Sequence, residues 1–147
     1  MINRRNLLAA ASAAVTLAAT ASTAAAADHD HDHHHGPATA NAKIAATALD
    51  CVRTGDACLA HCLDSFIAND TTLAVCAKKV NELISACATL AKLAANGSPH
   101  LAAYAKTATA ICKDCEKECR KHADKHATCK ACADSCAACA EECSKLG

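Results

Sequence analysis

From residue 40 onward, apolar side chains recur every three to four positions, the repeat of an α-helix, and nowhere alternate as in a strand. Punctuation divides this pattern. Asn69-Asp70-Thr71-Thr72 is rich in capping residues, with Asp70 or Thr71 the expected N-cap. Asn96-Gly97-Ser98-Pro99 is a stronger break: Gly97 ends one helix, Ser98 caps the next and Pro99 opens it. A third break falls near His122, with Asp124 the expected cap. The pattern predicts four helices, over residues 40–68, 71–95, 99–122 and 125–145. Short connections favour antiparallel neighbours, so the expected fold class is all-α, an up-down four-helix bundle. Gly55 interrupts the first helix at a propensity cost of about 1 kcal/mol. A close backbone approach, room for something bound and simple tolerance all account for it.

Cysteine follows the same rhythm. At roughly 100° per residue, Cys129, Cys132, Cys136, Cys139 and Cys143 fall within an arc of about 80°. Cys112, Cys115 and Cys119 form a second stripe, and Cys51, Cys58 and Cys62 a third that includes Gly55. Cys76 and Cys87 share a face with Leu73, Val80, Leu83 and Leu90. The opposite faces carry Lys113, Glu116, Lys117, Lys130, Asp134 and Glu141. All thirteen thiols are therefore expected to converge on the bundle axis. They also supply bulk. Beyond residue 27 only 18 of 120 side chains are Leu, Ile, Val, Phe or Tyr, and free cysteine buries like a small hydrophobe.

Residues 1–27 read differently. Arg4 and Arg5, an apolar run from Leu7 to Thr20 and a small-residue stretch ending at Ala27 have the parts of a secretory signal. The arginine pair resembles the twin-arginine export type, so the expected location is the periplasm or the lumen of internal membranes. The apolar run is short for a span of ~20 residues, and no stable membrane span is expected. Residues 28–39 form a His/Asp-rich tail expected to be disordered, leaving 40–147 as the helical domain. Beyond the leader, 13 basic residues stand against 15 acidic ones, and Phe66 and Tyr104 are the only aromatic side chains. Neither charge nor stacking surface points to nucleic acid. No paired carboxylates or nucleophile–base set suggests an enzyme.

Three chemistries suit converging thiols. Disulfides want Cβ atoms ~3.8 Å apart, whereas i,i+4 neighbours on a helix stand about 5–6 Å apart. Bridges between helices stay open, although an odd total leaves at least one thiol over. A disulfide-stapled structural or interaction protein is thus an alternative. Redox or iron–sulfur chemistry finds only Cys136-Ala137-Ala138-Cys139, in mid-helix and away from the helix N-terminus that activates such thiols. A soft metal ion fits between thiolates one turn apart, as in Cys58/Cys62, Cys115/Cys119, Cys132/Cys136 and Cys139/Cys143. Thiolate surroundings select Cu(I) first and Zn(II) second. One Cu(I) per thiolate leaves a filled core neutral, whereas four thiolates per Zn(II) leave a double negative charge in a low-dielectric interior. Cu(I), at roughly one ion per cysteine, is the preferred reading; a zinc–thiolate buffer is a further alternative.

His61, His122 and His126 fall at the bundle end that also holds Cys62, Cys76 and Cys119. Imidazoles there would pass metal inward; solvated loop histidines are the plainer reading. Leu93, Leu101 and Tyr104 are expected to plug the other end. The His/Asp tail would capture Cu(II) or Zn(II), or is a chance low-complexity segment.

Cys112-x2-Cys-x3-Cys119, Cys129-x2-Cys-x3-Cys-x2-Cys-x3-Cys143 and Cys51-x6-Cys-x3-Cys62, with the cysteine total and the leader, resemble the exported copper storage proteins of methane-oxidising bacteria. The resemblance covers residues 40–147 and the export signal. It implies a four-helix bundle filled with Cu(I), assembly into homo-oligomers, and copper supply to an enzyme such as particulate methane monooxygenase. The chain departs from the family in one respect: members often place Met beside His at the open end, and beyond residue 27 there is no Met.

Overall fold

The computed structural model describes residues 37–146. The expected leader, and residues 28–36 of the tail, lie outside the described residues. Four helices follow in order: α1 (Pro37–Ile67), α2 (Ala74–Ala95), α3 (Leu101–Arg120) and α4 (Ala127–Ser144). α1 packs on α2 and α4, and α3 on the same two, while the backbones of diagonal helices stay apart among the described residues. The result is the four-helix bundle that the apolar repeat predicts, closed into a ring by the α1–α4 seam. None of the described helices is long and apolar enough to cross a membrane.

The helix ends show which local signals held. Gly97 has φ 58°; its N–H reaches the Ala94 carbonyl at 3.1 Å, and Ser98 N–H reaches Leu93 at 2.9 Å. This is a Schellman ending, as expected of that glycine. Asn69 ends α1 the same way at φ 62°, with Asp70 N–H on the Ser65 carbonyl at 2.9 Å. The expected N-caps fare less well. Asp70 Oδ1 accepts the Thr72 N–H at 2.9 Å, which stabilises the turn before α2, while buried Leu73 holds the N-cap position. Ser98 Oγ accepts the His100 N–H at 3.2 Å, so it tops a single turn ahead of α3. At α4 the N-cap is His126, not Asp124; its ring turns to His61 rather than to the helix. α1 starts at Pro37, three residues before the expected position, because proline's fixed φ suits a first helical turn.

Ile44, Leu73, Val80, Leu83 and Leu90 are the large aliphatic side chains buried almost completely, and cysteine and alanine fill most of the remaining interior. Gly55 is explained by a close approach: a Cβ there would lie 2.9 Å from Ile84 Cγ1 on α2. At the far end Leu101 is buried, Leu93 and Tyr104 are half-buried, and the Tyr104 hydroxyl donates to the Ala86 carbonyl at 3.3 Å. Surface ion pairs join neighbouring helices: Lys79–Asp114 at 3.1 Å, Lys43–Glu142 at 2.9 Å, and Arg120 to Asp134, with Glu116 of α3 also holding Arg120. Solvent screens exposed pairs of this kind, and they contribute little. The inward stripes decide the fold.

Candidate metal centre

Every one of the thirteen cysteines is free and buried, and the most accessible, Cys143, is only 4% exposed. Their sulfurs meet mainly across helices. Cys76 lies 3.5 Å from Cys119 and 4.0 Å from Cys58; Cys58 lies 3.7 Å from Cys129. Cys115 lies 3.9 Å from Cys132, and Cys87 lies 3.8 Å from Cys112. Cys115 and Cys119, one turn apart on α3, also approach to 3.9 Å. Such separations leave space for an ion between two sulfurs.

Four groups gather sulfurs within 4.8 Å of one another. Cys51, Cys87, Cys112 and Cys139 take one thiol from each helix. The other three groups form a chain: Cys58/Cys76/Cys129, Cys58/Cys119/Cys132 and Cys115/Cys132/Cys136 share Cys58 and Cys132. Cys62 and Cys143 stand outside these groups. The sequence pattern names the inward faces but pairs cysteines along single helices. It misses the four-helix set, because periodicity carries no information on how far one helix is slid against the next.

Protons are unevenly distributed over these sulfurs. Hydrogen bonds from Cys119 and Cys58 pull Cys76 down to about 3, and bonds from Cys112 and Cys136 pull Cys51 down to about 5. Cys132 and Cys139 are lowered in the same way, chiefly by Cys115 and Cys112 respectively. The donors hold their protons in return: Cys112 is raised chiefly by Cys139, and Cys136 chiefly by Cys115. Burial pushes Cys62 up to about 12 and Cys129 up to about 11. Deprotonation is thus eased at some sulfurs and opposed at their neighbours, and a soft cation binding here displaces protons.

Two buried hydroxyls, unremarked in the sequence pattern, lie between the groups. Thr54 Oγ1 and Ser135 Oγ are 2.6 Å apart, one donating to the other; the accepting hydroxyl keeps its own proton for a carbonyl of its own helix, Asp50 at 2.8 Å from Thr54 or Cys132 at 2.9 Å from Ser135. When protonated, Cys51 donates to the Ser135 carbonyl, 3.2 Å away. Thr54 and Ser135 are the buried polar side chains of the described core, and no basic group accompanies them.

At the end where α1 and α3 finish, His61 Nε2 and His126 Nδ1 are 2.8 Å apart. The His122 ring lies 6.4 Å from that of His126, with its Nε2 3.5 Å from Glu118. All three rings are partly exposed. The structure thus gathers the three histidines at one end, but none of their nitrogens joins a thiol group.

Comparison with known proteins agrees with this architecture. The Cu(I)-bound copper storage protein BsCsp3 superposes with a TM-score of 0.66 at 28% identity, over 73% of this chain and 97% of its own. No curated protein sequence gives a significant match. The sequence profile described as "Copper storage protein" matches residues 38–147, the whole helical bundle. The chain belongs to the copper storage protein family.

Proposed function

We propose that this protein stores Cu(I) on the thiolates of its bundle core, at roughly one ion per cysteine, and performs no catalysis. The observation that carries the reading is the set of thirteen free, buried thiols meeting across four helices. Soft thiolate donors favour Cu(I), and one monovalent ion per thiolate keeps a core without buried basic groups neutral. The ligands are Cys51, Cys58, Cys62, Cys76, Cys87, Cys112, Cys115, Cys119, Cys129, Cys132, Cys136, Cys139 and Cys143. His61, His122 and His126 pass the ion inward from the open end. The Arg4–Arg5 leader supports export before use, and the family resemblance supports delivery to a copper enzyme.

One observation favours zinc as a second reading. Cys51, Cys87, Cys112 and Cys139 come from four helices, and the Cys87–Cys112 separation of 3.8 Å equals the edge of a tetrahedron with Zn–S of about 2.3 Å. The charge argument opposes it. Titrating fully reduced protein with Cu(I) against a competing chelator decides between them. Saturation near thirteen equivalents supports storage; saturation near three or four supports zinc-like clusters. Counting thiols in metal-free protein recovered from the cell tests the disulfide alternative, since one or three free thiols would mean staples. Replacing His122 and His126 together by Ala should slow Cu(I) uptake without reducing capacity, and an unchanged rate removes the histidines from the path.

A further inference from the structure

α1 carries a second apolar stripe that its own bundle leaves partly uncovered. Ala45, Leu49, Val52, Asp56, Leu59, Leu63 and Phe66 recur at alternating intervals of four and three, the heptad seam of a helix that packs lengthwise on another. At roughly 100° per residue, Leu49, Leu63 and Ile67 point about 120–160° away from the Cys51/Cys58/Cys62 stripe. Val52, Leu59 and Phe66 are half-buried against the core, whereas Leu49 is 57%, Leu63 50% and Ile67 81% exposed. Among the described residues one other large apolar side chain is exposed, Val75 on α2. It lies nine residues from Ile84, which packs on Gly55 of α1, and so on the opposite side of α2. In a chain with few large aliphatic residues, such a concentration on one face marks a surface for a partner.

The stripe reads alike from either end about residue 58. Leu49 stands nine residues before that point and Ile67 nine after; Asp56 stands two before and Ala60 two after. Val52 is answered in the same way by Leu63. The flanking charges invert: Arg53 is answered by Asp64, both exposed and both on the same side of the stripe. A surface with this symmetry complements a second copy laid antiparallel across it, because a two-fold interface sets residue i on residue j and j on i. Leu49 then meets Ile67 of the second copy, Val52 meets Leu63, and each Arg53 faces an Asp64. An apolar depression of about 270 Å³ between α1 and α2, bounded by Leu49, Val52, Ala88 and Ala91, lies where that Leu63–Ile67 end arrives. Asp56, the polar member of the seam, falls opposite small Ala60, and a polar residue at such a position fixes register at a cost in stability.

We propose that the protein pairs through α1 with a second copy of itself, antiparallel and centred on residue 58. The contact uses no sulfur and so stands apart from the storage reading. It also leaves His61 on the other side of α1, about 150° around the helix.

Sedimentation equilibrium of the reduced, metal-free protein over a range of concentrations tests the pairing. Leu63→Glu and Ile67→Glu should each halve the mass found for the parent, with helical circular dichroism unchanged because both residues are exposed. Val75→Glu, the same change on the opposite side of α2, should leave the mass as it is. Arg53→Asp and Asp64→Arg should each weaken pairing about tenfold or more by setting like charges together, and the two combined should return it to within about threefold of the parent. A parallel pair would set Arg53 against Arg53 and show no such compensation. Asp56→Leu should tighten the pair. A parent that sediments as a single copy throughout, a mass unmoved by Leu63→Glu and Ile67→Glu, a mass halved equally by Val75→Glu, or charge variants that fail to compensate, overturns the proposal.

Discussion

Leu83→Ala probes what holds the bundle together before any metal arrives. Leu83 is fully buried on α2, in the sulfur-free interval between Cys76 and Cys87. Removing three buried carbons costs about 2.4 kcal/mol at ~0.8 kcal/mol per methylene. The cavity left behind raises this toward the ~2.7–5 kcal/mol measured for Leu→Ala in well-packed cores. Most of the buried interior is short Cys and Ala side chains, which fill a void poorly, so the loss should be about 3–4 kcal/mol. For a domain near this size, each kcal/mol lowers Tm by about 4–8 °C. Such a loss is a large share of the roughly 5–15 kcal/mol that stabilises typical domains. Urea unfolding of the metal-free protein under reducing conditions, followed by helical circular dichroism, measures it. Leu83 is no ligand, so copper capacity should stay near that of the parent. A loss below about 1 kcal/mol would refute the assignment of stability to the few large aliphatic residues. A collapse in capacity would refute the separation of packing from metal binding.

Three further outcomes follow from the same geometry. Cys62 and Cys129 keep their protons to about 12 and about 11, against an ordinary 9.0, so the unfolded chain releases those protons first as pH rises. Metal-free protein should therefore lose stability from about pH 9 toward 12, as denaturant midpoints at a series of pH values would show, and a flat profile would contradict the burial of these thiols. Gly97→Ala should cost about 1 kcal/mol, since its φ of 58° lies where a Cβ is disfavoured and no atom lies within 4 Å of one; Gly97→Asn should cost less, and equal losses in thermal melts would point to another cause. Gly55→Val should destabilise by about 1–3 kcal/mol through overpacking against Ile84, and Ile84→Ala should relieve it in the double variant.

The inward sulfur rows and the bundle were legible because both depend on spacing within one helix. Gly97 was legible because an αL ending has few solutions. N-caps were not: Asp70 stabilises a turn of its own, and Asp124 yields to His126, whose ring is held by His61. The grouping of thiols was also hidden. Cys51, Cys87, Cys112 and Cys139 come together through axial alignment of four helices, which depends on where each connection ends. Thr54 and Ser135 read in isolation as ordinary polar helix residues, and only their meeting across the α1–α4 seam makes them a boundary.

Across the diagonal the described helices meet through sulfur: Cys76 of α2 lies 4.0 Å from Cys129 of α4, and Cys58 of α1 is grouped with Cys119 of α3. The width of the tube is therefore set by the same atoms that would grip its cargo, so occupancy and bore are one variable rather than two.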